Sequence, residues 1–255
     1  ALAETTTTTG VAYGVYSNEG EHPDSLIRVT LTLDNGAITA AELDEKLIPV
    51  AMGGAAGWAE LTDETAALLG DAVIEANDKK YPAQFTLGDY TWTGAADEAL
   101  GVGYTTEING ETVSFMDYVV TLEGGDWYFA QTEASLLNAA GETAATVEIN
   151  TKEGIGHGED FWPSDLKYSG NIAAIEAYLV ANGVDYDLTT AAQDENGVWT
   201  VSDTTTGATL AGTTCALPRK LTPTPSKSHT INTPAFQKGR RGFFAIHGFH
   251  PHFPG

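Results

Sequence analysis

Basic residues are scarce in this chain. Twelve Lys and Arg stand against 35 Asp and Glu, a formal net of −23. A surface that acidic repels a phosphate backbone, which excludes nucleic acid as a partner. Cysteine is nearly absent too: Cys215 alone permits neither an internal disulfide framework nor a multi-cysteine zinc or iron–sulfur site. No apolar run approaches the roughly 18 to 20 residues that span a bilayer as a helix, the nearest being the interrupted stretch from Leu47 to Ala59. Gly-x-Ser-x-Gly, Walker and His-Glu-x-x-His sequences are missing. Before residue 215 the histidines are His22 and His157, and nothing near either supports a Ser-His-Asp triad. What is present, over 255 residues, is a 42% hydrophobic and 9% aromatic composition that can bury a core.

The charge is split along the chain. Residues 1 to 214 hold all 35 acidic residues and only Arg28, Lys46, Lys79, Lys80, Lys152 and Lys167, a net of −29. Residues 215 to 255 hold no Asp or Glu, six Lys or Arg, four histidines and six prolines. Three readings of this tail stand: a basic disordered segment touching an anionic wall or membrane, a metal-binding cluster of His247, His250 and His252, or sequence foreign to the protein, as a shifted frame would produce. No metal site is assigned, because Pro and Gly between the histidines oppose a helix that would order them. At the other end, Ala1-Leu2-Ala3-Glu4 reads as the small-x-small end of a signal peptide cleaved after Ala3, or as an arbitrary fragment start. The export reading makes Thr5 to Thr9 a flexible spacer and puts the protein outside the cytoplasm, secreted or at the cell surface.

Along residues 10 to 214 the patterning predicts an α+β domain, antiparallel hairpins carrying two main helices. Val29, Leu31 and Leu33 alternate with Arg28, Thr30 and Thr32, Asn35-Gly36 supplies a tight turn, and Ala37 to Leu43 returns as the partner strand. Thr62 caps a helix over 62–78 with Leu69, Ala72, Val73 and Ala76 inward and Lys79 and Lys80 past its end. Between 85 and 150 short strands are expected, Val113 to Leu122 and Trp127 to Gln131 the clearest, with one short helix over Glu133 to Ala140 stopped by Gly141. Val147 and Ile149 read as a further strand. Ser169 caps a second helix with Ile172, Ile175 and Leu179 buried and Gly183 beyond its end, and Val198 to Val201 follows Asn196-Gly197 as a short strand.

Residues 203 to 209 read Asp203-Thr204-Thr205-Thr206-Gly207-Ala208-Thr209. This string resembles the FMN-binding domain family, in which Asp-x-x-Ser/Thr-Gly-Ala-Thr/Ser accepts covalent flavin. The resemblance implies that a flavin transferase uses FAD to join the phosphate of FMN to the hydroxyl of Thr209. It implies further that Asp203 and Thr206 belong to what the transferase recognises. The residue types suit the chemistry, since a phosphoester needs a hydroxyl, and Gly207 and Ala208 keep the approach clear for backbone amides to face a phosphate. Asp203 can also brace the turn through an Asx hydrogen bond. The likeness extends in outline over most of 10–214: a Gly/Tyr strand start (Gly10, Tyr13, Tyr16), a hairpin around Asn35-Gly36, and a helix and short strand before the motif. Only the seven-residue motif is specific. The chain departs from the family in running from Leu210 to Thr214 into Cys215 and Pro218 where a closing helix is usual. It also departs in the segment of about 80–155, an insertion or a degenerate second copy.

Two further features are open. The loop Glu153 to Asp160 with His157 reads as a solvated acidic loop, or as a metal or phosphate cradle, and with Trp162 it could line an isoalloxazine. Glu159 and Asp160 read as surface rather than as a glycosidase pair. The functional expectation is an exported flavoprotein electron carrier, with FMN on Thr209, exchanging electrons with a donor and an acceptor at the cell surface rather than turning over a substrate alone. The rival expectation is a non-catalytic adhesion or carbohydrate-binding module.

Overall fold

The computed structural model describes residues 7–18, 22–54, 60–98, 101–151, 165–184, 190–196, 198–201 and 204–205. Strands β1 (Thr7–Asn18), β2 (His22–Asp34) and β3 (Ala37–Leu47) form an antiparallel meander. Asn35 and Gly36 take φ of 49° and 85°, the paired positive values that a two-residue hairpin with the sheet's own twist requires. This hairpin is as expected, with both strands longer. Thr7 to Thr9, expected as spacer, instead pair with Asp34, Leu33 and Thr32.

A 3-10 turn (Val50–Met52) leads to helix α1 (Asp63–Leu69), where the Thr62 hydroxyl accepts the Thr65 N–H at 3.1 Å. The expected helix over 62–78 stops there. Gly70, at φ 60° and ψ −124°, is not helical, and Val73 and Ile74 enter β4 (Val73–Ala76), hairpinned to β5 (Lys79–Pro82) by Asn77 and Asp78, both at positive φ. The apolar spacing fitted a helix, but the β-branched residues and the turn pair win. Lys80, expected near a helix end, donates to Asp63 at 2.6 Å.

Strands β6 (Gln84–Leu87), β7 (Tyr90–Asp97), β8 (Gly101–Ile108), β9 (Glu111–Ser114), β10 (Glu133–Leu137) and β11 (Thr143–Glu148) form a six-stranded antiparallel sheet in the order β11-β10-β6-β7-β8-β9. Three expectations fail here. Residues 115–119 and 122–130 are helices, α2 (Phe115–Val119) and α3 (Leu122–Ala130), not strands. Ser114 and Thr121 cap them by accepting the N–H groups of Asp117 and Gly124, and burial on both sides overrides the β preference of their aromatic residues. Residues 133–137 are a strand, not a helix: Ser135 pairs with Thr86 and Leu136 with Phe85. Gly141, at φ 78°, belongs to the β10–β11 turn, where the Asn138 side chain accepts from Ala140 and Glu142.

Helix α4 (Lys167–Asn182) begins two residues before the expected cap Ser169 and ends at Gly183 as expected. Strands β12 (Ala192–Gln193), β13 (Trp199–Val201) and β14 (Thr204–Thr205) make a small sheet with β13 in the middle. The architecture is antiparallel α+β.

Four layers result. Alternation in β2 sends Ile27, Val29 and Leu31 to one face, where Ile172, Ile175 and Leu179 of α4 close a small core with Leu43 and Tyr168. The opposite face carries Tyr13, Leu26 and Arg28 toward α3. Gly125 of α3 lies flush on the Tyr13 ring: a Cβ there would sit 2.3 to 2.6 Å from ring carbons. Beyond α2 and α3 lies the inner face of the six-stranded sheet, and Phe85, Trp92, Tyr104, Phe115 and Tyr128 meet there in one aromatic core. The outer face of that sheet is solvated.

Candidate functional site

Of the seven-residue motif, Thr204 and Thr205 lie in β14, while Asp203, Thr206, Gly207, Ala208 and Thr209 fall outside the described residues. The loop 153–160 and Trp162 also fall outside them, as does everything from 206 onward. Val201 pairs with Thr204 and Thr200 with Thr205, so β13 and β14 are antiparallel neighbours. Ahead of β13, the Asp194 carboxylate accepts the N–H groups of Asn196 and Val198, at 2.8 and 2.9 Å, and so shapes the turn. Val201 is fully buried, and its carbonyl accepts the Tyr178 hydroxyl at 3.3 Å. Burial raises the Tyr178 pKa above the ordinary phenol value, which keeps the hydroxyl a donor. The residue two places before Asp203 is thus tied to α4.

Helix α4 is in turn tied to the meander by polar contacts around its small core. Glu176 accepts the Leu43 N–H at 2.8 Å. Tyr168 and Ser25 both donate to the buried Glu45, Ser25 at 2.5 Å and Tyr168 to the other carboxylate oxygen. On the far side of the same sheet, Arg28 binds Asp44 at 2.7 Å and stacks 4.4 Å from the Phe129 ring centre. Lys46 donates to the carbonyls of Phe129, at 2.7 Å, and Gln131. Burial first and the nearby Arg28 second lower the Lys46 pKa to about 8.

The sequence reading missed two features. The buried Glu45–Lys46 pair was hidden because charged residues in a strand ordinarily mark its solvated face. The second is a shallow depression of about 420 Å³ on the outer face of the six-stranded sheet, lined by Asp89, Tyr90, Thr91, Thr93, Thr105 and Glu107 among others. Its signal was readable in part: residues 81 to 151 contain eleven Asp or Glu and no Lys, Arg or His. Among the described residues no group of three or more potential ligands could hold a metal, and no helix is long and apolar enough to cross a membrane.

Compared with known proteins, the chain matches no family model, no curated protein and no solved structure.

Proposed function

We propose that the chain is an exported electron carrier of the FMN-binding-domain kind, flavinylated through phosphate on Thr209. The observation that carries this reading is the string Asp203 to Thr209, whose Thr204 and Thr205 pair with the strand that Tyr178 anchors to α4. The donor set fits the group: Thr209 offers a hydroxyl for an ester, and Gly207 and Ala208 put no bulk beside it. In the attachment step the Thr209 oxygen forms a bond to the FMN phosphorus of FAD, the pyrophosphate P–O bond breaks, and AMP leaves. The hydroxyl proton passes to a base of the transferase. A flavin so bound would supply reversible electron transfer with a donor and an acceptor at the cell surface.

The surrounding elements support the reading. The Gly/Tyr strand, the Asn35-Gly36 hairpin, α4 and β13 are the elements that the resemblance names. Here they form one connected unit, with the small core between meander and α4 and the Tyr178 bond to β13. The six-stranded sheet with α2 and α3 lies within the segment of about 80–155 that these elements leave over, an insertion or a degenerate second copy. The protein's own part in the redox chemistry is electrostatic. A net of −29 over residues 1 to 214 disfavours further negative charge on a reduced flavin and lowers its potential, screened beyond about 10 Å at 0.1 M salt.

The test is co-expression of the full chain with an FAD-dependent flavin transferase. The expected product shows yellow fluorescence that survives denaturation and an intact mass raised by one FMN less a water. Thr209→Ala should abolish both while leaving the far-UV circular dichroism nearly unchanged. Absence of adduct with a competent transferase would sink the reading, and an adduct retained in Thr209→Ala would move the site.

A further inference from the structure

The outer face of the six-stranded sheet is a field of hydroxyl groups. Thr146, Ser135, Thr86 and Thr91 are successive cross-strand partners over β11, β10, β6 and β7. Gln84, Thr93 and Thr105 form a second row over β6, β7 and β8, with the Gln84 amide donating to Thr93 at 3.0 Å. Between these rows the surface is dented, for a structural reason. The β7–β8 ladder runs from Asp97↔Gly101 to Thr93↔Thr105 and goes no further toward the β6–β7 turn. Past that point the Thr106 hydroxyl bonds the Thr91 carbonyl at 2.8 Å, and the depression of about 420 Å³ lies there.

The lining decides what fits. A volume in this range suits a small ligand or one stretch of a polymer, but sites for apolar ligands are lined mostly by hydrophobic side chains, and this one is Thr and carboxylate with a single aromatic ring. Anions are repelled, since residues 81 to 151 hold eleven acidic groups and no Lys, Arg or His. A protein partner is disfavoured as well, because interface cores are enriched in Met, Arg and aromatics and depleted in Ser, Asp and Glu. Each Thr hydroxyl can both donate and accept, and Asp89 and Glu107 are acceptors that suit the hydroxyls of a neighbouring diol. Tyr90 is half-buried. Its ring is turned to the inner face, edge-on to Tyr118 at 6.0 Å and tilted against Trp127 at 5.4 Å, so it stiffens the floor of the depression from beneath.

We propose that this depression binds a neutral polysaccharide. Asp89 and Glu107 accept its hydroxyls, and Thr93 and Thr105 exchange hydrogen bonds with it. The site is remote in sequence from Thr209 and does not depend on flavin. As an addition to the electron-carrier reading, it would hold the protein on a glycan.

The test is affinity electrophoresis of the full chain through gels containing mixed-linkage β-glucan, xyloglucan, galactomannan or starch, with polygalacturonate and chitosan as charged controls. Retardation by at least one neutral polymer is expected, insensitive to added salt. In both Thr93→Ala/Thr105→Ala and Glu107→Gln the affinity should fall by about tenfold, the effect of losing one or two hydrogen bonds, with circular dichroism and Tm unchanged. No retardation by any of the four neutral polymers would overturn the proposal. So would retardation that survives in both variants, or retardation by chitosan alone that salt removes.

Discussion

Glu45 and Lys46 are consecutive in β3, yet their side chains are buried on opposite faces of the three-stranded sheet, 4% and 5% exposed. Glu45 takes hydrogen bonds from Ser25 and from Tyr168 of α4. Lys46 gives hydrogen bonds to the carbonyls of Phe129 and Gln131 at the C-terminal end of α3, where positive charge also suits the helix dipole. One strand thus seats a helix on each of its faces through two adjacent charges, each held by neutral dipoles.

The Lys46 ammonium should make stability rise with pH in a defined window. Its folded pKa lies near 8 against 10.5 in the unfolded chain. Below 8 both states carry the proton, while between 8 and 10.5 the unfolded state holds a proton that the native state has released. Stability therefore rises with pH there, by about 1–2 kcal/mol up to pH 10. Above pH 10 the sign reverses, because burial pushes Tyr13, Tyr118 and Tyr128 above the ordinary value of 10.0 and the unfolded state loses those protons first. Urea midpoints measured from pH 7 to 11 should peak near pH 10 in the native chain, and Lys46→Met should remove the rise but keep the fall. A native profile flat from pH 8 to 10 would contradict this.

Tyr168→Phe removes one donor from the buried Glu45 and should cost about 1–3 kcal/mol, the penalty for a carboxylate left short of a partner. Glu45→Gln alone should also destabilise. The two changes together should cost less than their sum, because both act on one bond. A double-mutant cycle by chemical denaturation measures the coupling, and strict additivity would mean that the Tyr168 contact contributes nothing.

What could be read from the sequence was local. Asn35-Gly36 names its hairpin because the turn's positive φ values are a property of those two residues. Ile172, Ile175 and Leu179 name a helix face because burial there follows from one element's period. Residues 115–130 were misread because Phe115, Tyr118, Val119, Trp127 and Phe129 are β-prone one at a time. Their helical state comes from packing between two sheets, with the structure showing Ser114 and Thr121 as the caps. The string Asp203 to Thr209 is local and so stands out in the sequence, although five of its seven residues lie outside the described residues. The depression under Thr93 and Thr105 needs β7 and β8 to part at a given register, which no single stretch encodes.

Gly125→Ala tests how closely α3 sits on β1. The added Cβ would fall 2.3 to 2.6 Å from Tyr13 ring carbons near the backbone end of that side chain, so α3 has to lift, at about 1–3 kcal/mol or more. Gly36→Ala is the reference: its φ of 85° strains the backbone but the surrounding space is open, which should cost about 1 kcal/mol. Thermal and urea denaturation of both variants should rank Gly125→Ala as clearly the worse, and equal effects would argue that α3 is not seated on Tyr13.

Leu179→Ala should separate the two cores. Leu179 is fully buried, but its core is small, eight side chains between α4 and the meander, whereas Trp92, Phe85 and Tyr104 belong to the larger aromatic core under the six-stranded sheet. Truncation should cost about 2–5 kcal/mol locally. If α4 can open without the rest, the loss appears as faster hydrogen exchange of its amides while those of β7 and β8 stay protected. Equal loss of protection in both regions would mean that the sheet between them transmits the damage and that the layers unfold together. The local outcome has a consequence for the motif. Tyr178 of the same helix holds the Val201 carbonyl, so loosening α4 should release β13 and, on the proposed reading of Thr209 as a flavin acceptor, lower the yield of adduct even though Leu179 lies in the helix core.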